Sequence, residues 1–126
     1  MLRLSLGLLL IAALVGSLLA ASHLRAEHVR TGWIPGTLHA GLGVFGFITL
    51  LLALRGPPRG AAMGVAAFGQ IAAALLAIAL IAGLAMLVLR LCRWRVTGLV
   101  IGIHATIAVC GIVILTAYTL VGGRSP

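Results

Sequence analysis

The sequence has no lysine, no aspartate and a single acidic side chain, Glu27. Soluble domains carry about 25% charged residues. This chain carries 8%, too few to cover a water-facing surface. One acid excludes hydrolases that work through paired carboxylates. Without aspartate, a Ser-His-Asp arrangement would have to rest on Glu27 alone. Cysteine is also scarce. Cys92 and Cys110 lack CxxC spacing and fall at a helix end and in mid-span. They read as small apolar packing rather than a disulfide.

What the chain has is apolar residues, 63% of 126, and nine arginines that give a net charge of +8. Such a charge often marks a nucleic-acid partner, but here the arginines do not form one patch. Leu4–Ala21, Thr31–Leu54, Gly60–Leu89 and Val96–Gly123 are uncharged, and the arginines fall between them. Each run reaches the ~18–20 residues needed to cross ~30 Å of hydrocarbon. The expectation is an all-α polytopic membrane protein, not a nucleic-acid binder. Its single four-helix transmembrane domain covers 1–126, with spans at about 3–22, 36–54, 61–90 and 97–121.

The first run imitates a signal peptide: Met-Leu-Arg precedes a Leu/Ala stretch, and Ala20-Ala21-Ser22 resembles a cleavage site. It reads instead as a retained first span, because an internal repeat gives it a counterpart. The second and fourth spans align without gaps at an offset of 65 residues. His39 matches His104, Ala40 matches Ala105, Val44 matches Val109, Gly46 matches Gly111 and Leu50 matches Leu115. The first and third spans match only as Leu/Ala-rich helices. A His-plus-Gly match is more specific than any Leu or Ala match, and it predicts a tandem repeat of two helical hairpins, about 1–59 and 60–126.

An even number of spans separates the two histidines, so both belong on the same side of the membrane. They should lie nearer the loops that carry Trp33 and Trp94, residues suited to an interfacial belt. Pro35 fits a helix entry, and Arg55-Gly-Pro-Pro-Arg-Gly a tight connection. Positions i, i+4 and i+7 share a helical face. His39 therefore stands above Gly43 and Gly46, and His104 above Ala108 and Gly111. Each helix offers one imidazole over a strip without side-chain bulk, which suits close approach of a flat macrocycle. Haem iron accepts axial histidines, and Arg30, Arg93 and Arg95 on the same side could pair with propionates.

These matched histidines, with Gly46 and Gly111 below them, resemble the membrane cytochromes b. The resemblance implies a haem b between parallel helices and electron exchange with quinone or partner subunits. It does not extend to a second haem. A further histidine would fall about four turns along, where this chain has Leu52 or Ala53 and Ala117 or Tyr118.

Other readings stay open. Histidines near an interface can hydrogen-bond a neighbouring helix, and small residues at helical spacing serve close packing. That describes a cofactor-free accessory subunit stabilising a larger complex. His23 and His28, with Glu27, share the histidine side, and imidazoles suit copper or zinc, although five residues is a poor spacing for one helical face. Proton-coupled transport lacks a membrane-embedded acid, and Gln70 is expected to bond another helix.

The leading expectation is a small integral subunit of a bacterial inner-membrane redox complex, not an enzyme by itself. It would hold one haem b through His39 and His104. Its partners would be the bilayer, other membrane subunits and quinone. Four arginines on the terminal side against five on the histidine side give no orientation bias. Arg3 before the first run leans toward an inside N-terminus.

Overall fold

Apolar runs of this length must satisfy their own backbone polar groups in lipid, which a helix does internally. The computed structural model describes residues 1–25, 33–57 and 59–121. These form four α-helices and no strands: α1 Leu2–Arg25, α2 Trp33–Ala53, α3 Phe68–Leu91 and α4 Gly98–Val121. All four are long and apolar enough to cross a membrane. The chain is thus an all-α bundle of four candidate transmembrane helices.

The termini of these helices follow local chemistry. Pro35 occupies the first turn of α2, where its missing N–H has no intrahelical partner to lose. The third span begins later than position 61. Gly60 and Gly64 both take left-handed backbone, at φ 70 and 71, and enclose a single 3-10 turn, Ala61–Met63. Two left-handed residues interrupt an α-helix, so regular α3 starts only at Phe68. At its other end, Arg93 N–H bonds Arg90 O and Trp94 N–H bonds Leu89 O. This is a Schellman termination with Arg93, at φ 63, in the left-handed position that glycine usually fills. Gln70 falls in the first turn of α3, and its side chain is exposed rather than turned toward another helix.

Packing is closest within the α1–α2 and α3–α4 pairs, and weaker between α1 and α4 and between α2 and α3. The helices therefore form a ring of two hairpins, with α2 diagonal to α4. Leu14, Leu18, Phe45, Ile78, Ile81 and Val113 point outward and are exposed. That exterior matches lipid. The buried core is made by Leu2, Leu9, Leu50, Ala72, Leu76, Ile112, Leu115 and Tyr118.

The core occupies one half of the bundle. Among the described residues, the buried helical positions on α1 run no further than Ala12, on α3 no further than Ala79. On α2 they begin at Gly46, and on α4 at Gly111. From those levels to the α1–α2 and α3–α4 connections, every described residue is exposed or half-buried. The hairpins are sealed together at the end carrying Met1 and the α2–α3 connection, and are loosely apposed at the other.

Candidate functional site

The histidines sit at the boundary between these halves. His39 and His104 each lie six residues into their helix, which is about 9 Å along an axis rising 1.5 Å per residue. Each bonds across its own hairpin. His39 Nδ1 is 2.8 Å from Ala12 O on α1, and His104 Nδ1 is 2.9 Å from Ala79 O on α3. A carbonyl oxygen only accepts, so each Nδ1 carries the proton. In a neutral ring that leaves the lone pair on Nε2. A backbone carbonyl holding one ring nitrogen is a common way to orient a metal-binding histidine.

Each ring also has a glycine seat. A Cβ added to Gly16 would meet His39 Cε1 at 2.8 Å, and one added to Gly83 would meet His104 Cε1 at 2.9 Å. Below, Leu9 packs where a Cβ on Gly46 would stand, 2.9 Å from its Cγ. Leu76 does the same at Gly111, 2.8 Å from its Cγ. The two hairpins therefore repeat one another contact by contact. Leu9, Ala12 and Gly16 correspond to Leu76, Ala79 and Gly83, an offset of 67 residues. The α2/α4 offset is 65, so the connection in the second hairpin is two residues shorter. The repeat departs from symmetry at Ser5, fully buried, whose hydroxyl donates to Gly46 O at 2.9 Å. Its counterpart is Ala72.

The two rings converge across the bundle. Their centroids are 6.1 Å apart, and their planes are inclined at 80°. Two imidazoles bound axially to one iron at roughly 2 Å, each ring centre roughly 1 Å behind its nitrogen, have centres about 6 Å apart. The separation is one that two imidazoles sharing a single iron would have.

The residues expected to line the ring divide. Gly46 and Gly111 receive leucines from the adjacent helix, so the room beside them is taken. Gly43 and Ala108 are half-buried, and a Cβ at Gly43 would make ordinary contact with Leu80, 3.7 Å away. The less tightly packed half lies on the other side of the histidines, toward Arg93 and Arg95, which are exposed. Arg30, Glu27 and His28 lie outside the described residues, as does the His23 side chain. Among the described residues, no group of three or more His, Cys, Asp or Glu side chains converges on a metal position. Leu52 is exposed and Tyr118 is in the core.

Sequence reasoning missed Ala12, Gly16, Ala79 and Gly83. Their signal was present: at offset 67, Leu8, Leu9, Ile11, Ala12 and Gly16 are identical to Leu75, Leu76, Ile78, Ala79 and Gly83. No family model matches the chain, and no curated protein or solved structure is significantly similar to it.

Proposed function

We propose that the protein holds one haem b between its two hairpins through His39 and His104 and serves in electron transfer. The observation that carries this is the paired geometry of the histidines. Two imidazoles on diagonal helices each have Nδ1 tied to a carbonyl of the adjacent helix, and their centroids are 6.1 Å apart. Holding a ligand ring in one orientation before the iron arrives reduces the ordering that binding must supply. Looser packing on the connection side of the histidines supports placing the bulk of the macrocycle there rather than against Gly46 and Gly111. Arg93 and Arg95 at that end suit pairing with its carboxylates, and Arg30 is proposed with them on sequence alone.

When bound, the haem would supply one-electron exchange at iron. The chain's own part is to hold the two imidazoles, keep each Nδ1–H donating to Ala12 O or Ala79 O, and surround the group with apolar helix. With so little mass outside its helices, the chain would exchange electrons with quinone or another membrane subunit. A bacterial inner membrane is the setting we propose.

A second reading rests on the same hydrogen bonds. They tie α2 to α1 and α4 to α3, and alone would suit a cofactor-free subunit that braces a larger complex. A reduced-minus-oxidised absorption spectrum separates the two. Protein purified from haem-replete cells should show a haem b band that is lost in both His39→Ala and His104→Ala. Folded wild-type protein with no band would overturn the haem reading and leave the bracing one.

A further inference from the structure

At the end of the bundle away from the histidines, a cavity of 190 Å³ opens between the first turn of α1, the α2–α3 connection and the last turn of α4. Met1, Leu2, Arg3, Arg59 and Thr119 line it. Two of these five are arginines, and the only acidic side chain of the protein, Glu27, belongs to the connection at the opposite end. Neither Arg3 nor Arg59 has an ion-pair partner among the described residues. Arg59 is also anchored: its backbone N–H donates to the hydroxyl of buried Tyr118 at 3.2 Å, which ties the connection to α4. Thr119 donates its own hydroxyl proton to Leu115 O at 2.7 Å. Arg3 and Arg59 are therefore the cavity-lining residues whose side chains have donors to offer a guest.

We propose that this cavity binds a phosphate group at the membrane surface. Guanidinium forks match phosphate oxygens in a bidentate way. Two arginines bordering one small cavity carry like charge, and an anion held between them offsets their repulsion. Basic pockets between transmembrane helices bind the headgroups of anionic lipids. The volume is below the ~300–1,000 Å³ typical of pockets for drug-sized ligands. It suits a phosphate or phosphodiester rather than a quinone ring or nucleotide. An anionic phospholipid and free phosphate supply the same chemistry, and titration distinguishes them.

The test uses the full chain in a neutral detergent, titrated separately with dihexanoyl-phosphatidylglycerol, dihexanoyl-phosphatidylcholine and inorganic phosphate. Binding is read by native mass spectrometry and by the shift in thermal unfolding. Phosphatidylglycerol should bind as one tight copy and raise the midpoint, while phosphatidylcholine should not. Arg3→Gln/Arg59→Gln should weaken that binding at least tenfold, and Arg90→Gln, in the last turn of α3 at the opposite end, should leave it unchanged. Saturable binding of inorganic phosphate that is lost in the same double variant would assign the site to free phosphate. Equal binding of the two lipids, or equal binding by wild type and the double variant, would overturn the proposal. A far-UV circular dichroism spectrum and ligand-free unfolding midpoint of Arg3→Gln/Arg59→Gln equal to wild type show that its loss of binding is not misfolding.

Discussion

Gly16→Ala and Gly83→Ala test the histidine seats directly. An alanine Cβ at position 16 would stand 2.8 Å from His39 Cε1 and 3.1 Å from Nδ1. Non-bonded carbons settle at about 3.5–4.0 Å, so the ring must retreat by roughly 0.7 Å. The Nδ1···O bond to Ala12 begins at 2.8 Å. A retreat of that size takes it to about 3.5 Å, the edge of hydrogen bonding. Overpacking costs about 1–3 kcal/mol, and an interhelical bond in a membrane contributes about 0.6–1.7 kcal/mol. Alanine returns about 1 kcal/mol over glycine through helix propensity. The expected net loss is therefore about 0.6–3.7 kcal/mol. Gly83→Ala should behave alike, because its Cβ would stand 2.9 Å from His104 Cε1. The assay is reversible unfolding in mixed micelles with increasing SDS fraction. Gly7→Ala and Gly41→Ala are controls, since a Cβ at either meets nothing within 4 Å. They should unfold no earlier than wild type. If Gly16→Ala and Gly83→Ala are as benign as these controls, the glycines are not seats for the rings and the argument fails.

Three further outcomes follow from the packing. Ser5→Ala removes the bond to Gly46 O but recreates what Ala72 already provides in the other hairpin, so the loss should stay near 1 kcal/mol in the same unfolding assay. Arg93→Gly relieves a left-handed residue worth about 1–2 kcal/mol and should slow amide exchange in the last turn of α3, while an unchanged exchange rate would show that no strain resides there. Tyr118→Phe leaves Arg59 N–H without its acceptor and should lower stability by about 0.5–1.5 kcal/mol, with faster proteolysis of the α2–α3 connection as the accompanying sign.

The histidine pair was legible because histidine is rare in apolar spans, so one gapless match at His39 and His104 outweighs many Leu and Ala matches. The corresponding match between α1 and α3 carried no such residue. Its key members are glycine and alanine, whose importance lies in the side chain that packs against them. Gly46 and Gly111 were read as places where a macrocycle approaches closely, but the helical face says only that bulk is missing there. Whether a macrocycle or a neighbouring leucine fills the gap depends on which helix lies opposite, and Leu9 and Leu76 do. The late start of α3 was obscured because Gly60-Ala-Ala-Met-Gly64 is apolar enough to read as span. Only backbone conformation distinguishes a turn from a helix there.

Four membrane-length helices were determined by the sequence alone, because an uncharged segment of this length satisfies its own backbone in hydrocarbon by forming a helix. The offset of 65 likewise determined that His39 and His104 share a side and a depth. Tertiary structure decided that α2 and α4 lie diagonally, that their imidazoles converge to 6.1 Å, and that each Nδ1 proton is held by α1 or α3. It also decided that, among the described residues, the buried core fills the half of the bundle beyond the histidines. These are relations between helices. They depend on which small residue meets which large one across an interface, and the periodicity of a single helix does not encode that.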